Sequence, residues 1–184
     1  MPTVLIPLAM GFEDLEAITV VDLLRRAEIE VVTAGLVPGP ITGSRGTAVI
    51  PDSSLDAELG RDFDMIVLPG GLPGAKNLEA DPRIHELLHR HQAEGRFIAA
   101  ICAAPKVLAG AGLLDGHSAT GYPGTLDAAA FPRVRVLEDP VVVDGKVVTA
   151  RGPGTAMDFA LGLVELLAGA ERRQRVEDAL VRPA

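Results

Sequence analysis

One thiol, one carboxyl group and one pair of glycines stand where a nucleophile, a proton carrier and an oxyanion cradle would be needed. The only cysteine, Cys102, lies between the apolar run Phe97-Ile98-Ala99-Ala100-Ile101 and Ala103-Ala104-Pro105. An apolar run followed by Pro in a helical first turn predicts a strand entering a helix, with the thiol at the junction. Free N–H groups and the positive end of the helix dipole there favour thiolate, and such settings lower a cysteine pKa from about 8.5 to roughly 3.5–7.5. The small flanking residues also permit the sharp, strained elbow that hydrolase nucleophiles occupy. The competing reading is an inert packed thiol, because free cysteine is among the most buried residue types.

Glu16 falls in a helical pattern from Glu13 to Ala27, on one stripe with Val20, Leu23, Leu24 and Ala27. Its carboxyl therefore faces apolar packing, while Glu13 reaches water. Burial raises a carboxyl pKa, and a protonated Glu can donate to a thiolate or shuttle a proton. The plainer role is that of a first-turn acid complementing the helix dipole. Pro69-Gly70-Gly71 ends the apolar run Phe63 to Leu68. A double glycine signals a turn, and it also lets backbone N–H groups come close enough to a ligand to form an oxyanion site.

Two other patterns carry less. His85-Glu86-Leu87-Leu88-His89 has zinc-protease spacing, but no downstream His or Gly extends it. Arg83, Glu86, Arg90 and Glu94 mark that helix as a solvated face, so no metal is assigned. Gly110-Ala111-Gly112 follows a helix instead of opening one, which disfavours a dinucleotide site. His91 and His117 have no evident partner.

The elements that must position these residues alternate. Val4 to Ala9 reads as a buried strand, Glu13 to Ala27 as a helix and Ile29 to Ala34 as a strand, a β-α-β opening that implies parallel neighbours. Thr47 to Ile50 reads as a short strand or edge hairpin, Phe63 to Leu68 and Phe97 to Ile101 as strands. Helices are expected from Asp81-Pro82 to about Gly95 and from Ala103 to Ala111. Short strands follow near Ser118 to Thr120 and Val134 to Val136. Val141 to Val143 and Val147 to Ala150 form a hairpin turning at Asp144-Gly145. Helices from about Pro153 to Ala168 and from Glu171 to Leu180 close the chain, with no internal repeat. In such parallel sheets ligands sit beyond the carboxyl ends of strands, where Glu16, Gly70-Gly71 and Cys102 all fall.

With 184 residues, 48% of them hydrophobic, the chain suits one domain over 1–184 and an α/β core of Ala, Val, Leu and Ile. A net charge of −8 and the lack of a basic stripe disfavour nucleic-acid binding. No signal peptide or membrane-length apolar run is evident, and a lone thiol suits a reducing compartment, so the cytoplasm is expected.

The set Glu16, Pro69-Gly70-Gly71, Ala99 to Pro105 and Arg151-Gly152-Pro153-Gly154-Thr155 resembles the ThiJ/PfpI (DJ-one) superfamily. Within it the chain is most similar to the branch of bacterial YajL and the human Parkinsonism-associated deglycase. The similarity runs in order through Leu23 to Ala27, Ser44-Arg45-Gly46, Pro51-Asp52 and Asp158-Phe159. The resemblance implies a flavodoxin-like, doubly wound, mostly parallel sheet with helices on both faces, a sandwich like that of class I glutamine amidotransferases. It implies a homodimer, Cys102 as elbow nucleophile and Glu16 as its protonated partner, with the N–H groups of Gly71 and Ala103 in the oxyanion pocket and no cofactor. The activities implied are glutathione-independent glyoxalase and protein deglycase, acting on methylglyoxal, glyoxal and their early adducts with proteins. The alternative is a redox sensor or chaperone whose cysteine becomes a sulfinate. Gly121-Tyr122-Pro123 puts Tyr122 where the human branch has a pocket His, and Ala103 stands where the protease-like branch has His, which argues against peptidase activity.

Overall fold

Alternation along the strands decides how the layers assemble. In β1 (Thr3–Leu8), Val4, Ile6 and Leu8 project into one apolar layer while Leu5 projects into the other. Both faces are covered, so the run reads as continuously apolar. The same division recurs in β6 (Met65–Leu68), where Met65 and Val67 face one layer and Ile66 and Leu68 the opposite one. The structure is a computed structural model and describes residues 1–182. Pro183 and Ala184, the end of the expected 1–184 domain, lie outside the described residues.

In chain order, β1 leads to α1 (Asp14–Arg26), β2 (Glu30–Gly35), the short pair β3 (Ile41–Thr42) and β4 (Ala48–Val49), β5 (Ser53–Ser54) and α2 (Leu55–Glu58). After β6 come α3 (Leu72–Ala80), α4 (Pro82–Ala93), β7 (Phe97–Ile101) and α5 (Pro105–Gly110). The remainder is β8 (Ser118–Ala119), β9 (Arg135–Val136), β10 (Val141–Asp144), β11 (Val147–Ala150), a 3-10 turn (Pro153–Thr155), α6 (Ala156–Ala168) and α7 (Ala170–Ala179).

The main sheet has seven strands in the order β10-β11-β7-β6-β1-β2-β5, parallel except for β10 against β11. The parallel strands β2-β1-β6-β7-β11 follow the flavodoxin-like order, whose reversal between β1 and β6 opens a crevice at their carboxyl ends. Apolar residues of α1 and α6 cover one face, and those of α3, α4 and α5 cover the other. The doubly wound expectation is met.

Several boundaries differ from the sequence reading. The helix expected from Glu13 to Ala27 is α1, with Glu13 and Ala27 as its caps. The segment Leu72–Ala80 is helical, although Pro73 and Gly74 hide it. Pro fits the helix start, and Gly74 lies against Phe12, where a Cβ would stand 2.7 Å from Phe12 Cα. The helix expected at Ala103 begins only at Pro105, and the one expected at Pro153 begins as a 3-10 turn. Strands β3 and β5 escape a periodicity search because two residues carry no period.

Candidate active site

The crevice between β1 and β6, extended by β7, holds the reactive groups. Cys102 follows β7 with φ of +64°, the left-handed region that a residue with a Cβ rarely adopts. This is the strained elbow expected from sequence, at a cost of order 1–3 kcal/mol. Its backbone is tied at both ends: the Cys102 N–H donates to Ala150 O at 2.9 Å, and the Tyr122 N–H donates to Cys102 O at 2.8 Å. The residue is 8% exposed and lines a cleft of about 380 Å³.

Glu16, in the first turn of α1, is wholly buried. The Gly70 N–H donates to its Oε2 at 2.8 Å. Oε1 is also buried and has no aligned hydrogen-bond partner among the described residues. Gly70 separates the carboxyl from the thiol: a Cβ there would stand 2.7 Å from Cys102 Cβ and closer still to Glu16 Oε2. No side chain fits that position. Gly71 has φ of +87°, and a Cβ on it would lie 2.7 Å from Glu13 N. Backbone pairs from Glu13 N to Gly70 O at 2.9 Å and from Gly74 N to Gly11 O at 3.1 Å join the loops after β1 and β6.

The electrostatics qualify the sequence reading. Burial raises the Glu16 pKa to about 7, opposed by hydrogen bonding with Cys102 and Gly70, while the charge of Glu13 adds to the rise. Burial also pushes the Cys102 thiol up to about 12, with the charge and hydrogen bond of Glu16 adding, against the N–H groups of Gly71 and Ala103. The depressed thiol pKa expected from a helix N-terminus is therefore not found. Burial of the sulfur is the main reason, and the charge and hydrogen bond of Glu16 add to it. The helix starts three residues after Cys102 and has only six residues, so its dipole offers little opposition. The opposition from Glu16 exists only while Glu16 is ionised. When Glu16 carries the proton, burial is left to compete with two peptide dipoles, so the two groups titrate as a pair.

Of the residues singled out from sequence, Cys102, Glu16, Gly70, Gly71 and Ala103 converge here. Tyr122 stands at the rim, half exposed, with its ring edge beside Gly152. Leu72, Pro73 and Pro153 form apolar walls, while Glu13, Ser44 and Arg45 form a polar wall. None of these six was chosen from sequence as a site residue. Ser44 and Arg45 were visible only as a stretch shared with the family, and Glu13, assigned to water, borders the cleft.

Asp14 holds that polar wall. Its Oδ2 accepts from Arg45 N and its Oδ1 from Thr47 N, each at 2.9 Å. Although burial opposes ionisation, these bonds keep Asp14 below its usual range. Ser44 Oγ donates to Glu13 Oε2 at 2.9 Å, and Arg45 Nε lies 3.7 Å from Glu13 Oε1. Away from the cleft, His85 Nε2 lies 2.6 Å from Glu79 O, and His117 Nδ1 is 3.6 Å from Asp144 Oδ1.

Residues 2–166 match the DJ-1/PfpI family. The chain is 42% identical over 180 residues to the "Parkinson disease protein 7 homolog" of Danio rerio, covering 96% of this chain and 95% of that protein. It is 37% identical over 160 residues to the "Glutathione-independent glyoxalase DJR-1.2" of Caenorhabditis elegans, covering 87% and 85%. The crystal structure of Drosophila melanogaster DJ-1beta superimposes with a TM-score of 0.94 at 40% identity, covering 100% of this chain and 99% of that one.

Proposed function

This chain belongs to the DJ-1/PfpI family, and from that premise we propose that it is a cysteine-dependent, glutathione-independent glyoxalase that converts methylglyoxal to lactate and glyoxal to glycolate. The same chemistry would release early adducts of these aldehydes from protein side chains. The observation that carries the reading is the left-handed Cys102 lining a cleft beside a wholly buried carboxyl, with the N–H groups of Gly71 and Ala103 turned toward its sulfur.

With the shared proton on Glu16, the Cys102 sulfur bonds to the aldehyde carbon and the carbonyl electrons move to oxygen. The N–H groups beside the sulfur stabilise that oxyanion, and Glu16 protonates it to a hemithioacetal. The Glu16 carboxylate then takes the hydrogen of the same carbon as a proton, and a proton returns to the neighbouring carbonyl carbon through an enediol. The first carbon is thereby oxidised to a thioester and the second reduced to a carbinol, with no external oxidant. Water cleaves the thioester, giving the hydroxy acid and regenerating the thiol. One water is added overall.

In this reading one domain works as a cytoplasmic homodimer without metal or organic cofactor, as the family resemblance implies. No helix among the described residues is long and apolar enough to cross a membrane. The sensor alternative draws on the same thiol and on no further observation. The test is lactate release from methylglyoxal by Cys102→Ser. A loss of at least about 10³-fold is expected, and release at the parent rate would overturn the mechanism.

A further inference from the structure

A second hollow, of about 340 Å³, adjoins the reactive cleft. Leu72 and Ala103 line both, so they form the boundary between them, and Leu72 is 73% exposed. Ala75 and Val107 join Ala103 in an apolar floor. The rim carries Lys76 of α3 and Lys106 of α5, which stand on two helices packed against each other. Both lysines are exposed, and neither forms an ion pair with a carboxylate of the described residues. The remaining lysine, Lys146, lies over the Phe97 ring.

This placement runs against the charge of the molecule. In a chain of net charge −8, two ammonium groups with no ion-pair partner among the described residues border a hollow that adjoins the reactive cleft. The one carboxylate on the rim, Glu79, lies toward Gly110, where its Oε1 would be 3.2 Å from an added Cβ. An apolar floor under a cationic rim matches a short methylene chain ending in a carboxylate. We infer that the hollow is a substrate subsite that receives the carboxylate end of a 2-oxoaldehyde whose aldehyde carbon reacts at Cys102. Acid-bearing 2-oxoaldehydes are then preferred over neutral ones of equal length. This rests on the glyoxalase reading and names its substrate class.

The test compares 4,5-dioxopentanoate with its uncharged amide, 4,5-dioxopentanamide, alongside methylglyoxal. The parent is expected to favour the acid over the amide by roughly tenfold in kcat/KM, the scale of two partly exposed ion pairs. The difference should sit in KM and shrink in high salt, because exposed charges are screened. In the double variant Lys76→Gln/Lys106→Gln the ratio should fall toward one. Equal use of acid and amide by the parent, or an unchanged ratio in the variant, overturns the subsite.

A second measurement needs no turnover. The unreactive ketone 4-oxopentanoate should slow alkylation of Cys102 by iodoacetamide more than 4-oxopentanamide does, in the parent but not in the double variant. Equal protection by the two overturns the subsite. Failure on methylglyoxal combined with selective protection overturns the glyoxalase reading alone.

Discussion

Glu16 and His91 are both entirely buried, and burial drives both toward the neutral form, yet their surroundings differ in kind. Glu16 stands at the carboxyl ends of the strands, accepts the Gly70 N–H and interacts with the thiol of Cys102, which borders a cleft. His91, near the end of α4, has no hydrogen-bond partner for either ring nitrogen among the described residues. Burial lowers its pKa, the charges of Arg96 and Arg90 lower it further, and the Phe63 carbonyl and the charge of Glu94 oppose them. That carbonyl is already bonded to Arg96. Burial of an ionisable group is therefore not itself the mark of a reactive site. What sets Glu16 apart is a second titrating group within reach and a space beside it for a substrate.

The largest expected effect that sharpens this contrast is on turnover. Glu16→Gln should lower kcat/KM for methylglyoxal by roughly 10²–10⁴-fold, the usual contribution of a positioned proton carrier. His91→Leu should leave turnover within about twofold, as a residue outside the cleft would. Steady-state kinetics on the two variants checks both, and comparable losses would erase the contrast.

Stability against pH should separate them next, with opposite signs. The fold holds the Glu16 proton up to about pH 7, whereas the unfolded chain releases it near 4.5. Across that window the native state binds more protons, so the Glu16 contribution makes stability fall as pH rises through it and is constant above it. The loss is on the order of 3 kcal/mol. Urea midpoints of Glu16→Gln should lack that loss, leaving the variant more stable than the parent at pH 8. A parent curve without a Glu16-dependent fall between pH 4.5 and 7 would contradict the raised pKa.

Gly70→Ala tests the spacing between carboxyl and thiol. The added methyl group has no room, so a stability loss of about 1–3 kcal/mol is expected together with loss of turnover. A variant with parental turnover would show that the Glu16–Cys102 approach is not needed. The smallest effect belongs to His91. Its folded pKa lies below 6.5, so the unfolded chain gains the proton first and stability is lost as pH falls below that value. Removing the ring in His91→Leu should flatten this acid limb, and the change at pH 8 should stay within about 1 kcal/mol. A steeper limb in the variant would mean that the ring is paired after all.

The reactive groups were legible in sequence for reasons that act locally. Continuous apolar runs fixed β1, β6 and β7, and the residue just past each run is where parallel sheets leave room. The stripe shared with Val20 and Leu23 turned Glu16 inward. The walls were less legible because they depend on contacts distant in the chain. Helix α3 is masked by Pro73 and Gly74, whose fitness shows only once Phe12 is beside them. Ser44 and Arg45 reach the cleft through bonds from their loop to Glu13 and Asp14. The thiol pKa is the expectation that the structure reverses, because a helix start and the partner Glu16 are legible in sequence while the depth at which the sulfur is buried is not.

Both peptide groups of Cys102 are spoken for by β11 and by the loop carrying Tyr122. The sulfur is thus aimed when the chain folds, before any molecule enters. Arg45, Leu72 and Tyr122 sit around it without gripping it, so a lineage can exchange them and alter which compounds are admitted while the bond-forming direction is inherited unchanged.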